Sequence, residues 1–150
     1  MAKRSEIVGM EDLLNMVKKL EKVPQRVVNK AARAGASIAR KAAKNNAPEG
    51  ETGELKKGII MRKERRVKAG KAVFDIMMDP AKSDIFAKIG KNGQRAYYPA
   101  SQEYGFMTVD GGFVPGYHFL RNSLQDNATD IEKKVVEVAG KEIDKVMKGG

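Results

Sequence analysis

Cysteine and tryptophan are absent from this chain, and histidine occurs once, at position 118. The lack of cysteine excludes a disulfide framework, a thiol nucleophile and a cysteine-held metal. A single histidine excludes a histidine-rich metal centre, and beside Phe119 it reads as a packed or surface side chain. No apolar run is long enough to cross a bilayer. The opening MAKRSEIVGMEDLL carries charges but no apolar h-region, so it lacks the pattern of a secretory signal. A reducing cytoplasm, or a particle assembled there, is the simplest home.

The usual signatures of chemistry are missing as well. There is no G-x-x-x-x-G-K-[ST] phosphate loop, and no G-x-G-x-x-G opens a helix after a strand. GKNGQR, residues 90–95, is Gly-rich and basic but precedes no helix start, so it reads as a turn. No serine lies in a G-x-S-x-G context. Glu49, Glu51 and Glu54 cluster in a loop without the Asp/Asn/Gly pattern of a calcium site. These residues imply no enzyme, no cofactor, no metal and no small-molecule substrate.

Aromatic residues are scarce, at 6% of the chain, and unevenly placed. Seven of the nine fall in one Gly- and Pro-containing stretch: Tyr97, Tyr98, Tyr104, Phe106, Phe113, Tyr117 and Phe119. Charge is uneven too. Residues 1–71 hold 19 Lys and Arg against 8 Asp and Glu, while residues 72–150 hold 10 against 11. The whole net charge of +10 therefore resides in the first half. Such asymmetry fits a face that meets nucleic acid or an acidic protein, or else a solubilising surface.

Periodicity predicts the elements. Leu13, Leu14, Val17 and Leu20 recur at helical spacing over Met10–Lys22, and Pro24 ends that helix or starts the next. Over Val27–Lys44, Val27, Val28, Ala31, Ala34, Gly35, Ile38, Ala39 and Ala42 share one side of a helix. Arg26, Lys30, Arg33, Arg40, Lys41 and Lys44 form a narrow basic stripe on the other. The helix should stop near Asn45–Asn46, before Pro48. Leu55–Lys63 and Ala72–Asp79 read as the arms of a β-hairpin joined by ERRVKAG, with Ile85–Ile89 as a third strand. A last helix begins within His118–Ser123 and reaches about Met147, with Leu124, Ala128, Ile131, Val135, Val138 and Val146 on one face. Ser123 or Thr129 would cap it, and Thr129-Asp-Ile-Glu132 reads as a capping box. The expected fold is α+β, a single domain over residues 1–150. Two N-terminal helices come first, then a small antiparallel sheet of about three strands and an irregular aromatic segment. A long C-terminal helix packs on one side of the sheet.

Glu103 sits among aromatic neighbours in YYPASQEYGF. It can act as an acid or base with a raised pKa, pair with Arg121, or accept backbone N–H groups. Without a second catalytic group nearby, the structural reading is favoured. A small basic DNA-binding protein is the alternative that the charge allows. Its basic helix face would track a phosphate backbone. However, the aromatic residues and the stripe lie in different halves, and no known nucleic-acid motif is visible.

Three stretches, taken in order, resemble a known family. APEGETGELKKGI places a Pro at a helix end, then T-G-x-L and a strand. YYPASQEYGF is similar to a Tyr-Ala-x-x-x-Glu-aromatic-Gly element. VPGYHFLRNSL is similar to a Pro-containing loop leading into Phe-Leu-Arg at a helix start. IVGMEDLLNMVKKLEKVPQRV also matches the lead into the first helix. Together they resemble the gene-product-ten-like head–tail joining or tail-completion proteins of long-tailed bacteriophages. The chain departs at His118, where the family often has Pro, and at Asn122-Ser123, where it often has Pro-Ala.

That resemblance implies a structural protein of the virion head–tail interface, assembled in the host cytoplasm. It would form a ring with copies of itself and dock onto connector or tail-tube proteins, with possible non-specific contact with phage DNA and no membrane. It also implies that Tyr97, Tyr104, Phe106 and Phe119 close the core, with Glu103 in a short helix and Gly105 as its left-handed cap. Gly111–Gly112 marks a flexible, exposed tip. Loop contacts are expected from Glu49, Glu51 and Thr52 and from Thr108, Val109 and Phe113, and the basic stripe is expected to face a partner or DNA.

Overall fold

A computed structural model describes residues 15, 18 and 23–149. The helix expected over Met10–Lys22 falls outside that continuous stretch. The first element within it is α1, Gln25–Asn46. Pro24 opens this helix, accepting a hydrogen bond from Val27 N on its carbonyl at 2.8 Å. Ala47, with extended backbone, ends it before Pro48. Val27, Ala31, Gly35, Ala39 and Ala43 are buried at intervals of four residues, which makes one seam of small side chains along the helix.

A short helix α2, Glu54–Lys57, leads into strand β1, Ile59–Lys63. Strand β2, Phe74–Met78, pairs with it antiparallel, from Ile59 opposite Met78 to Lys63 opposite Phe74. The first hairpin is thus as expected, with its first arm shortened where α2 takes Leu55–Lys57 and its second arm confined to Phe74–Met78. The third strand differs. Ser83–Phe86 forms helix α3, and only Ala87–Ile89 is strand β3. β3 pairs with β4, Arg95–Tyr97, instead of extending the first sheet. A short apolar run such as Ile85-Phe86 suits either helix or strand, and here Phe86 is better buried from a helical turn, edge-on to Tyr97 at 6.2 Å.

The aromatic segment holds short regular elements joined by loops at 108–112 and 116–118. Helix α4, Tyr98–Tyr104, is followed by β5, Gly105–Met107, and β6, Phe113–Pro115, which form a third antiparallel pair. Helix α5, Phe119–Gln125, and helix α6, Ala128–Gly149, complete the chain. The expected single C-terminal helix is therefore broken at Asp126–Asn127. Neither expected cap caps it: Ser123 is buried inside α5, and Thr129 lies within α6. The fold class is α+β, with three two-stranded sheets among the described residues.

Helix α1 is the hub, contacting α5, α6 and the first hairpin. Helix α6 packs along α1 rather than on the sheet. At Gly35 the two helices touch so closely that an added Cβ would lie 2.6 Å from Val135 Cγ2 and 3.1 Å from Ile131 Cγ2. Ala43, Ala47, Leu55, Ile59 and Phe119 form the core, with Ile76, Met78 and Leu120 against it. Burying Phe119 alone is worth about 1.5–3 kcal/mol.

Candidate functional site

Glu103 organises the junction between α4 and α5. It is buried, and its two carboxylate oxygens accept from Leu120 N at 2.8 Å and Arg121 N at 3.1 Å. These are backbone donors of the first turn of α5, which otherwise lack partners. Of the three readings of Glu103, the one realised is acceptance of backbone N–H groups. Its carbonyl takes His118 N at 3.1 Å, and that of Gln102 takes Tyr117 N at 2.7 Å. The two ends of the β5–β6 hairpin are thereby tied to α4 and α5.

Glycines are required at this junction. Gly105 has φ 87° and ψ −178°, so it caps α4 with positive φ but outside the left-handed helical region. A Cβ there would collide with the Val114 carbonyl, and one at Gly116 would collide with that of Glu103. His118, at φ 50°, is the non-glycine residue held at positive φ among the described residues, and it sits just before α5.

The hairpin that leaves this base is apolar on both faces. Phe106 opposes Val114 and Met107 opposes Phe113. Met107 is 67% and Phe113 61% exposed, and Phe106 and Val114 are also exposed. Tyr104 and Tyr117 flank the base, again exposed. Tyr104 and Phe106 therefore lie on the surface and do not close the core, whereas Phe119 does; Tyr97 is half-buried against Phe86. At the tip, Thr108 N donates to Gly112 O at 2.8 Å, Thr108 Oγ1 donates to the same carbonyl at 3.2 Å, and Gly112 N donates to Thr108 Oγ1 at 2.9 Å. These bonds make a closed turn that presents Val109 fully to solvent.

The loop residues Glu49, Glu51 and Thr52 lie elsewhere, after α1. Glu51 and Thr52 border a groove floored by Leu55 and Phe86 and walled by Ile85 and Tyr98. Glu49 pairs with Lys56 at 3.6 Å. Behind them Glu54 pairs with Lys82 at 2.6 Å and Lys57 at 3.1 Å, and these hydrogen bonds hold its carboxyl below the usual range.

The basic stripe is divided by the packing around α1. Lys30 pairs with Glu142 of α6 at 2.5 Å. Arg40 is half-buried and donates from Nε to Ile59 O at 3.5 Å. Lys41 is exposed and Lys44 half-buried toward the far end. Arg26 and Arg33 stand instead beside the first hairpin, over Met61, Lys63 and Phe74. The β1–β2 connection joins them with Arg65, Arg66 and Lys68. Counting charge only along a helix face missed these residues, although the run MRKERRVKAGK was the available signal. Gln25 clamps the two parts: its Oε1 accepts from Gly70 N at 2.8 Å, and its Nε2 donates to Lys71 O at 2.7 Å.

The arrangement offers exposed apolar and basic surfaces. Among the described residues, no group of three or more His, Asp or Glu is placed to hold a metal, and no helix is long and apolar enough to cross a membrane. A family model described as "Bacteriophage HK97-gp10, putative tail-component" matches residues 11–99, more than half of the chain. The chain belongs to this HK97-gp10-like family. No curated protein and no solved structure matches it significantly. A tail component belongs to the phage particle and works by contact with other phage structural proteins. The matched residues include the APEGETGELKKGI stretch and the first hairpin. The apolar β5–β6 hairpin and α5 lie beyond them.

Proposed function

We propose that this tail-component protein joins or completes the tail at the head–tail interface of a long-tailed phage or prophage. Copies of the chain assemble into a ring and dock onto neighbouring connector or tail-tube proteins. Assembly takes place in the host cytoplasm. The observation that carries this reading is the β5–β6 hairpin. It exposes Phe106, Met107, Val109, Phe113 and Val114 on an anchored base. A two-stranded apolar ribbon gains little by standing alone in water, and exposed apolar patches of this kind mark protein contacts. The loop of Glu49, Glu51 and Thr52, with Ile85 and Tyr98 beside it, supplies a second contact in the ring.

The test is electron microscopy of lysates in which this gene carries a stop codon, complemented by wild-type protein or by Met107→Asp/Phe113→Asp. The stop codon alone should leave DNA-filled heads beside separate, finished tails. Wild-type protein should restore joined virions and the double variant should not. Normal virions from the stop-codon lysate would end the joining role. Normal virions from the double variant would remove the hairpin from it.

A further inference from the structure

One end of the molecule concentrates cations without matching carboxylates. Two grooves meet there. One runs between α1 and the first hairpin and is bordered by Arg26 and Arg33, with Met61, Lys63 and Phe74 opposite. The other follows β1 into its turn and is bordered by Met61, Arg62, Lys63, Glu64, Arg65 and Arg66. They share Met61 and Lys63, so the basic lining is continuous from the helix to the turn. Arg26, Arg33, Arg62, Lys63, Arg65 and Arg66 are all exposed.

Nearby acids do not neutralise this lining. Glu64 turns onto its own loop, accepting from Arg65 N at 3.0 Å and Arg66 N at 3.1 Å. Asp75 faces Arg62 across the strands, yet no ion pair joins them. Glu142 is engaged by Lys30 and Lys145. Among the described residues, none of the six cations has a carboxylate within ion-pair distance.

We infer that this end binds the phosphate backbone of duplex DNA without regard to sequence. Duplex DNA carries one negative charge per about 1.7 Å of axis, and a continuous row of arginines and lysines neutralises such phosphates and releases their counterions. The side chains around the grooves favour it over the other polyanions. A single strand is gripped by exposed aromatic faces, and the one aromatic residue here, Phe74, is half-buried beneath the cations. A protein partner is gripped by an apolar centre with a polar rim. In these grooves only Met61 and Phe74 are apolar, both half-buried, while the exposed apolar surface of the molecule lies on the separate β5–β6 hairpin. The Gln25 clamp on Gly70 and Lys71 fixes the turn against α1, so the cations keep their spacing before any ligand arrives.

The experiment is fluorescence anisotropy with a mixed-sequence duplex over a salt series, using the full chain. The variants are Arg65→Glu/Arg66→Glu in the turn and Lys133→Glu/Lys148→Glu on exposed positions of α6, which change net charge equally. Four to six phosphate contacts would give a slope of log K on log salt of about −4 to −5. The turn variant should flatten that slope by about 2 and weaken binding by about tenfold or more, with the α6 variant much less affected. Equal losses in both variants would overturn the inference in favour of undirected net charge. Binding of polyglutamate but not duplex at about 0.15 M salt would overturn it in favour of an acidic protein partner. Should the reversed charges impair folding, Arg65→Gln/Arg66→Gln against Lys133→Gln/Lys148→Gln provides the comparison, again with equal changes of net charge. Virion joining plays no part in this readout, so the inference and the joining role fail separately.

Discussion

Along α1 the contacts are made by Val27, Ala31, Gly35, Ala39 and Ala43, and every one of them is buried. Along the β5–β6 hairpin the side chains are Phe106, Met107, Phe113 and Val114, and every one is exposed. The chain thus assigns its small residues to the interior and many of its large apolar ones to the surface. Small side chains let α1 approach α6 closely, so stability comes from proximity and not from bulk. Large side chains on a narrow ribbon cannot be covered by the chain that carries them. The lesson is that aromatic density here marks a surface, with Phe119 and Phe86 as the exceptions that point inward.

Truncating one phenylalanine from each region is the strongest way to break this contrast. Phe119→Ala should destabilise the fold by about 3–5 kcal/mol, because it opens a cavity against Ala43, Leu55 and Ile59. Phe113→Ala should change stability by no more than about 0.5 kcal/mol. Urea unfolding of the two proteins measures both, and comparable losses would show that the hairpin is part of the core. Gly35→Val should come next, at about 1–3 kcal/mol, because its side chain would overlap Val135 and Ile131. Unchanged stability in the same assay would mean that α1 and α6 separate easily.

The smallest effect concerns the charged edge of that helix pair. Hydrogen bonds from Lys30 and Lys145 hold the Glu142 carboxyl below its ordinary value of 4.5. A lowered pKa in the folded state gives stability that is present above the unfolded value and lost as pH falls through the folded one. Thermal midpoints should therefore fall below about pH 4.5, and Lys30→Gln should make that fall shallower while leaving neutral pH nearly unaffected. Identical acid profiles would show that the pair contributes nothing to the packing of α6 on α1.

Parts of this architecture were legible in the sequence for identifiable reasons. Helix α1 was visible because alanines and cations alternate at helical spacing between two prolines. The first hairpin was visible because β-formers flank a basic turn. The break between α5 and α6 was hidden, since Gln125-Asp126-Asn127 contains neither Gly nor Pro. The β5–β6 hairpin was hidden because three-residue strands are too short to show alternation, although Asp110-Gly111 is a turn signal. The apolar tip at Thr108–Phe113 was picked out by composition, yet its ordered turn depends on hydrogen bonds that composition does not reveal. The expected α1 stripe was split by packing, because Lys30 and Arg40 are drawn into contacts that helical periodicity alone cannot foresee.

The closed turn at Thr108 has a kinetic consequence. If the tip docks as proposed, a partner meets a shape already closed by hydrogen bonds and need not wait for a loop to fold. Association should then proceed as a simple bimolecular encounter with one exponential phase. Its heat-capacity change should reflect only the apolar area covered, with no added contribution from ordering the chain.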